Sequence, residues 1–201
     1  MMNARLDELD VAKGIGMILV VLGHLEPGTY LMRFIYSFSL FLFFTCSGII
    51  GARYEMRSLL SILHSNYKRL IIPYLFWVSV SNSIDVILGR IDIIQAVQNI
   101  LFFNANVGWN AALWFLIALF WVDSMCAFVI TFYKIIQAIV FIATLGFCFL
   151  FAKYKIILPF GFYTVPVAMI FWLLGYWFKI SGVYNKFINS CNIEYLIIWG
   201  G

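Results

Sequence analysis

The stretch Val11-Ala12-Lys13-Gly14-Ile15-Gly16-Met17-Ile18-Leu19-Val20-Val21-Leu22-Gly23-His24-Leu25 decides what kind of protein this is. It is an apolar run interrupted by one lysine and one histidine. A helix needs about 20 mostly apolar residues to cross the hydrocarbon core of a bilayer. The run falls short unless an amphipathic turn beginning at Leu9 continues it. Working outward, five longer or comparable apolar segments follow: Phe34–Ala52, Leu70–Leu88, Ala111–Thr131, Ile135–Ala152 and Tyr163–Phe178. A seventh, Tyr195–Ile198 with Trp199, has barely begun when the sequence reaches Gly201. The predicted fold is all-α: a polytopic transmembrane helical bundle, with about six full transmembrane helices plus the start of a seventh. Residues 1–201 read as a single integral-membrane domain.

Composition supports this reading. Of 201 residues, 64% are hydrophobic and 11% charged, against roughly 45–50% and about 25% in soluble globular chains. The mean hydropathy is +0.99. So few charges cannot clothe a water-soluble fold of this length, which excludes a soluble enzyme, a disordered chain and a disulfide-stapled secreted domain. The net charge of +4 is small and scattered, so nucleic acid is not an expected partner. Cys46, Cys126, Cys148 and Cys191 share no CxxC spacing and read as packing residues, with no metal site expected. The N-terminus does not read as a cleavable signal peptide, because Arg5, Asp7, Glu8 and Asp10 crowd its first ten residues and no small-x-small site ends the run.

Lysine and arginine placement predicts orientation. With the N-terminus inside, Arg5, Lys13, Arg53, Arg57, Lys68, Arg69, Lys134, Lys179 and Lys186 fall on the inner side. Arg33, Arg90, Lys153 and Lys155 fall on the outer side. The excess of basic residues favours a cytoplasmic N-terminus. In the outer 89–110 loop, Ile91, Ile94, Val97, Ile100 and Leu101 recur at helical spacing, which predicts an amphipathic helix on the membrane surface.

Polar residues within hydrocarbon are informative, since a charge at the bilayer centre costs at least about 2.5–3.5 kcal/mol on insertion scales. Lys13 and His24 are eleven positions apart, close to three helical turns, so both lie on one helix face about 16 Å apart along the axis. A neutral imidazole can accept a proton from a hydroxyl group near pH 7. The alternative is a histidine that only hydrogen-bonds at the helix end, just before Glu26-Pro27-Gly28. Lys68 and Arg69 either bind an anionic ligand or simply flank an inner helix end. Asp123 has no basic residue within a helical turn, so it must pair with another helix or stay protonated. Asp85 and Asn82 are expected near water at an outer helix end. Gly14, Gly16 and Gly23 suit close helix packing or substrate approach. The tryptophans read mostly as interfacial anchors.

Arg5-Leu6-Asp7-Glu8-Leu9-Asp10-Val11-Ala12-Lys13-Gly14-Ile15-Gly16, running on to Val20-Val21-Leu22-Gly23-His24, resembles the first helix of the acyltransferase 3 family of integral-membrane O-acyltransferases. The shared hallmark is a basic residue, ten intervening residues and a histidine. Phe41-Leu42-Phe43-Phe44 leading to Ser47-Gly48 resembles the family's second helix, and Lys68-Arg69-Leu70-Ile71-Ile72-Pro73-Tyr74 the start of its third. Leu113-Trp114-Phe115-Leu116 and Leu174-Gly175-Tyr176 resemble two later signatures. The first-helix motif and the Lys-Arg-Leu-x-x-Pro-Tyr motif together are most similar to a subgroup related to fucose O-acetylases.

The resemblance implies acetyl transfer from cytoplasmic acetyl-CoA, with no metal, to a carbohydrate hydroxyl of a bacterial surface polysaccharide or its lipid-linked precursor. It implies His24 as the catalytic residue, Lys13 near the path of the donor, and Lys68 and Arg69 as donor-binding cations. The expected location is the inner membrane, multi-pass, in contact with the lipid bilayer. Two positions depart from the family pattern. Ser39 stands about where many members carry a second histidine, and Asn66 stands three residues before Arg69 where a paired arginine is expected. Family members also carry more helices than are legible here, so a truncated, non-catalytic remnant or subunit is the alternative reading.

Overall fold

A backbone surrounded by hydrocarbon finds no water for its N–H and C=O groups, so apolar segments of this kind fold as helices, which satisfy those groups internally. The computed structural model describes residues 7–25, 30–101, 113–154 and 164–190, and every regular element among them is helical. In chain order these are α1 (Asp7–Leu25), α2 (Tyr30–Gly51), a 3-10 turn (Ala52–Met56), α3 (Leu59–Asn66), a π-helical turn (Tyr67–Ile71), α4 (Ile72–Ile87), α5 (Ile93–Leu101), α6 (Trp114–Val129), α7 (Lys134–Tyr154) and α8 (Val165–Ile180). A further helical segment, Val183–Ser190, follows α8 at an angle of 72°. Gly182 supplies the corner, with φ of 79°, a conformation that costs a residue without a Cβ little.

Among the described residues, three continuous stretches are long and apolar enough to cross a bilayer: Ser37–Met56, Leu59–Ile87 and Lys134–Phe151. The bent pair at α8 makes a fourth if counted as one span. The apolar helix α6 is shorter, at 16 residues, and α1 carries Asp7, Glu8 and Asp10 in its first turn. The short run at Tyr195–Ile198 lies outside the described residues. The surface has the character lipid requires. Ile15, Ile18 and Val21 of α1 are exposed, as are Ile135, Ile139, Ile142 and Phe149 of α7. In water, apolar exposure on this scale would mark an interaction site or an aggregation hazard. Against hydrocarbon it is ordinary.

The chain divides into two compact units, residues 1–53 with 171–201 and residues 54–170. In the first, α1 packs on α2 around Leu9, Cys46, Ile49 and Tyr184. The α2–α8 contact is closer still. A Cβ added at Gly48 would lie 1.9 Å from the Trp172 carbonyl oxygen, and one at Gly175 would lie 2.2 Å from that of Thr45. The two backbones therefore touch where each helix has a glycine, the small-residue packing that membrane helices use in place of a hydrophobic driving force. These glycines sit in the Ser47-Gly48 and Leu174-Gly175-Tyr176 stretches singled out in the sequence. Of the glycines expected to pack closely, Gly14 has nothing within 4 Å of an added Cβ, whereas Gly16 meets Leu42 and Phe43 at 3.3 Å. Trp172 is fully buried and stacked on Tyr176. It is a packing residue of the core and not the interfacial anchor expected of it, because the glycines leave a slot that its ring fills.

In the second unit, Tyr74 and Val78 of α4 pack against Leu113 and Ile117 at the start of α6. The third apolar segment proves longer than Leu70–Leu88: its helix starts at Leu59, after Ser58, whose hydroxyl accepts a hydrogen bond from the Ser61 N–H at 3.4 Å. Pro73 explains the π-helical turn in its middle. Proline has no N–H to give the Arg69 carbonyl, and the ladder slips by one residue just before it, the Ile72 N–H donating to the Tyr67 carbonyl.

Candidate functional site

Lys13 and His24 both lie on α1, so the three-turn spacing read from the sequence is realised on a continuous helix. Lys13 is half-buried. His24 occupies the last turn, and its side chain lies outside the described residues. Ser39, the family's departure on α2, is fully buried, and its hydroxyl donates to the Ile35 carbonyl at 2.8 Å, so it is engaged with its own helix. All three belong to the first unit. At the start of α1, the Tyr184 hydroxyl donates to a Glu8 carboxylate oxygen at 2.5 Å. That bond, then the local backbone and the nearby Lys179 ammonium, hold the Glu8 carboxyl below its ordinary range against a small opposing effect of burial. Lys179 sits 3.8 Å above the Tyr184 ring and donates to Asn185 Oδ1 at 3.0 Å.

Lys68 and Arg69 belong to the second unit, side by side on the π-helical turn. Lys68 is exposed. Arg69 is drawn inward, and its Nη2 donates to Asp123 Oδ2 at 2.8 Å and to Asn66 Oδ1 at 3.2 Å. The Tyr54 hydroxyl donates to the same Asn66 oxygen over a longer 3.5 Å. The side chain of Asp123 is 0% exposed and that of Arg69 50% exposed. The carboxylate is sealed inside the unit while half of the arginine side chain stays exposed. Asn66 is itself buried, and its Nδ2 has no hydrogen-bond partner among the described residues.

The sequence left Asp123 either to pair with another helix or to stay protonated, and the structure gives it a partner. The sequence did not identify Arg69, 54 positions away, nor the contributions of Asn66 and Tyr54. The only available signal was that Asn66 and Arg69, three apart, share a helix face.

At the far end of α4 the expectation of water contact is corrected. Asn82 and Asp85 are buried, because α5 and the turn before it bring them partners: Asn99 donates to Asn82 Oδ1 at 3.0 Å and Arg90 to Asp85 Oδ1 at 3.1 Å. On α5, Ile93, Ile94 and Val97 are exposed and Ala96 is buried, in keeping with the amphipathic pattern.

These features define a multi-pass, all-helical membrane protein with basic side chains held on a distorted helical turn and a histidine ending its first helix. The model of a family described as an acyltransferase domain, acyltransferase 3, matches residues 6–199. The chain belongs to that family, and its class is that of membrane acyltransferases. No curated protein and no solved structure matches it.

Proposed function

We propose that this protein transfers an acetyl group from cytoplasmic acetyl-CoA to a hydroxyl of a bacterial surface polysaccharide or its lipid-linked precursor. His24 is the catalytic base. It takes the acceptor hydroxyl's proton while that oxygen attacks the thioester carbonyl; the C–S bond breaks, and the departing thiolate takes up the proton. An imidazole ordinarily titrates close to neutrality and is mostly neutral at pH 7, which suits a base that takes a proton and then gives it up. Lys13, three turns along α1, lies on the donor's path, and Lys68 with Arg69 binds its phosphates by charge-assisted hydrogen bonds. The half-exposed side chain of Arg69 and the exposed Lys68 suit that role.

The protein sits in the inner membrane with its N-terminus in the cytoplasm, and α1, α2, the α3–α4 helix, α6, α7 and α8 make six crossings. The observation carrying this reading is the family match over residues 6–199 with the lysine–histidine hallmark on one helix. Mass spectrometry of surface glycans tests it. Acetylated sugars are expected with the wild-type gene and lost with His24→Ala at equal membrane abundance. Acetylation retained in the variant refutes the role of His24, and glycans indistinguishable with and without the gene refute the activity.

A further inference from the structure

The Arg69–Asp123 pair has an asymmetry that a merely cohesive ion pair does not require. The Asp123 side chain is entirely enclosed and the Arg69 side chain is half exposed. An arginine on a helix surface samples many rotamers, and holding it in one arrangement costs conformational entropy whenever a ligand must do the holding. Here Asp123 of α6 does so in advance. Asn66 helps from the preceding turn, accepting from the same Nη2 atom, which commits both of that nitrogen's hydrogens. A guanidinium has five N–H donors in a fixed plane, so pinning one nitrogen orients the remaining plane. The π-helical turn is part of the device, since it sets the register between Arg69 and the α4 face that packs on α6, and such turns occur often at functional sites.

We infer that Asp123 is a positioning residue, which holds the Arg69 guanidinium preorganised for a phosphate group of the acyl donor. The inference rests on the donor-binding role proposed for Arg69 and adds a residue on a different helix. Asp123 itself, fully enclosed, touches no ligand.

Isothermal titration of coenzyme A into the full chain in lipid nanodiscs tests it, for wild type, Asp123→Asn, Arg69→Ala and the double variant. Wild type is expected to bind, and Asp123→Asn to bind at least about tenfold more weakly, a loss of about 1.4 kcal/mol. In the Arg69→Ala background, Asp123→Asn is expected to add nothing, because its effect passes through the missing guanidinium. A merely structural role would leave the two effects additive, and that result overturns the inference, as does unchanged affinity in Asp123→Asn. If Asp123→Asn does not fold, Asp123→Glu decides, keeping the charge but moving it by one methylene. Severalfold weaker binding at an unchanged melting temperature supports positioning, and wild-type affinity overturns it. Wild-type protein that does not bind coenzyme A refutes the donor-binding role first and this inference with it, an outcome distinct from a binding wild type with an indifferent Asp123.

Discussion

Glu8 and Tyr184 show how the first unit fastens its N-terminal helix. The carboxylate sits in the first turn of α1, where the helix dipole favours negative charge, and accepts the Tyr184 hydroxyl from a segment 176 positions away. Because folding lowers the Glu8 pKa from its ordinary 4.5, the folded state holds the proton less tightly than the unfolded chain. The resulting stabilisation is complete above 4.5 and fades as pH falls through the lower native value. The melting temperature of wild type in detergent is therefore expected to exceed that of Glu8→Gln at pH 6 and to converge on it towards pH 3. A constant difference across that range would contradict the assignment. Single side chains were unevenly legible. That Asp123 must pair or stay protonated followed from the cost of an unpaired charge in hydrocarbon, but periodicity along one helix carries no information about which other helix could supply a partner. For the same reason Asn82 and Asp85 were expected near water until the turn after α4 and α5 itself supplied their partners.

The α2–α8 pair packs by small residues more than by interdigitating large ones. Gly48 and Gly175 let α2 and α8 touch at the backbone, and Trp172 fills the space beside them, with its ring 2.2 Å from the point a Cβ on Gly51 would occupy. Gly48→Ala forces a methyl group onto a carbonyl oxygen that cannot swing aside as a side-chain tip could. Overpacking of this kind costs about 1–3 kcal/mol, and the rigid neighbour places Gly48→Ala at the upper end. Gly14→Ala, with open space around it, is expected to be neutral or slightly stabilising, since alanine is the better helix former. Unfolding in mixed micelles with increasing denaturing detergent checks both, and equal midpoints for the two variants would contradict the close α2–α8 contact. The existence of α2, α4, α6, α7 and α8 was legible from apolar run length and that of α5 from helical spacing, while α3 and the helix ends were not. Lys68 and Arg69 read as the edge of a loop, yet the helix begins at Leu59, because Ser58 caps it and a π-helical turn carries it through to Pro73.

As a whole, the chain is a lipid-facing object whose family is established by the match over residues 6–199. Its apolar exterior follows from composition alone, since 11% charged residues cannot cover a water-soluble surface, and its helical class from the length of the apolar runs. Which basic residues face which compartment is set by insertion. The charge asymmetry leads us to expect the segment around Arg57 inside and the turn at Arg90 outside. Cysteine substitutions at Ser58 and Asp92, labelled in intact cells by a membrane-impermeant maleimide, should report protection at the first and labelling at the second; the reverse pattern inverts the topology and removes acetyl-CoA from reach of Arg69.

The central claim is acyl transfer through His24, and the most direct measurement follows radiolabel from [acetyl-14C]acetyl-CoA into glycan in membrane vesicles with the donor on the cytoplasmic face. Wild-type membranes should label the glycan, and His24→Ala membranes of equal protein content should fall to background. Equal labelling in both, or none above background in wild-type membranes supplied with their native glycan precursors, would contradict the account.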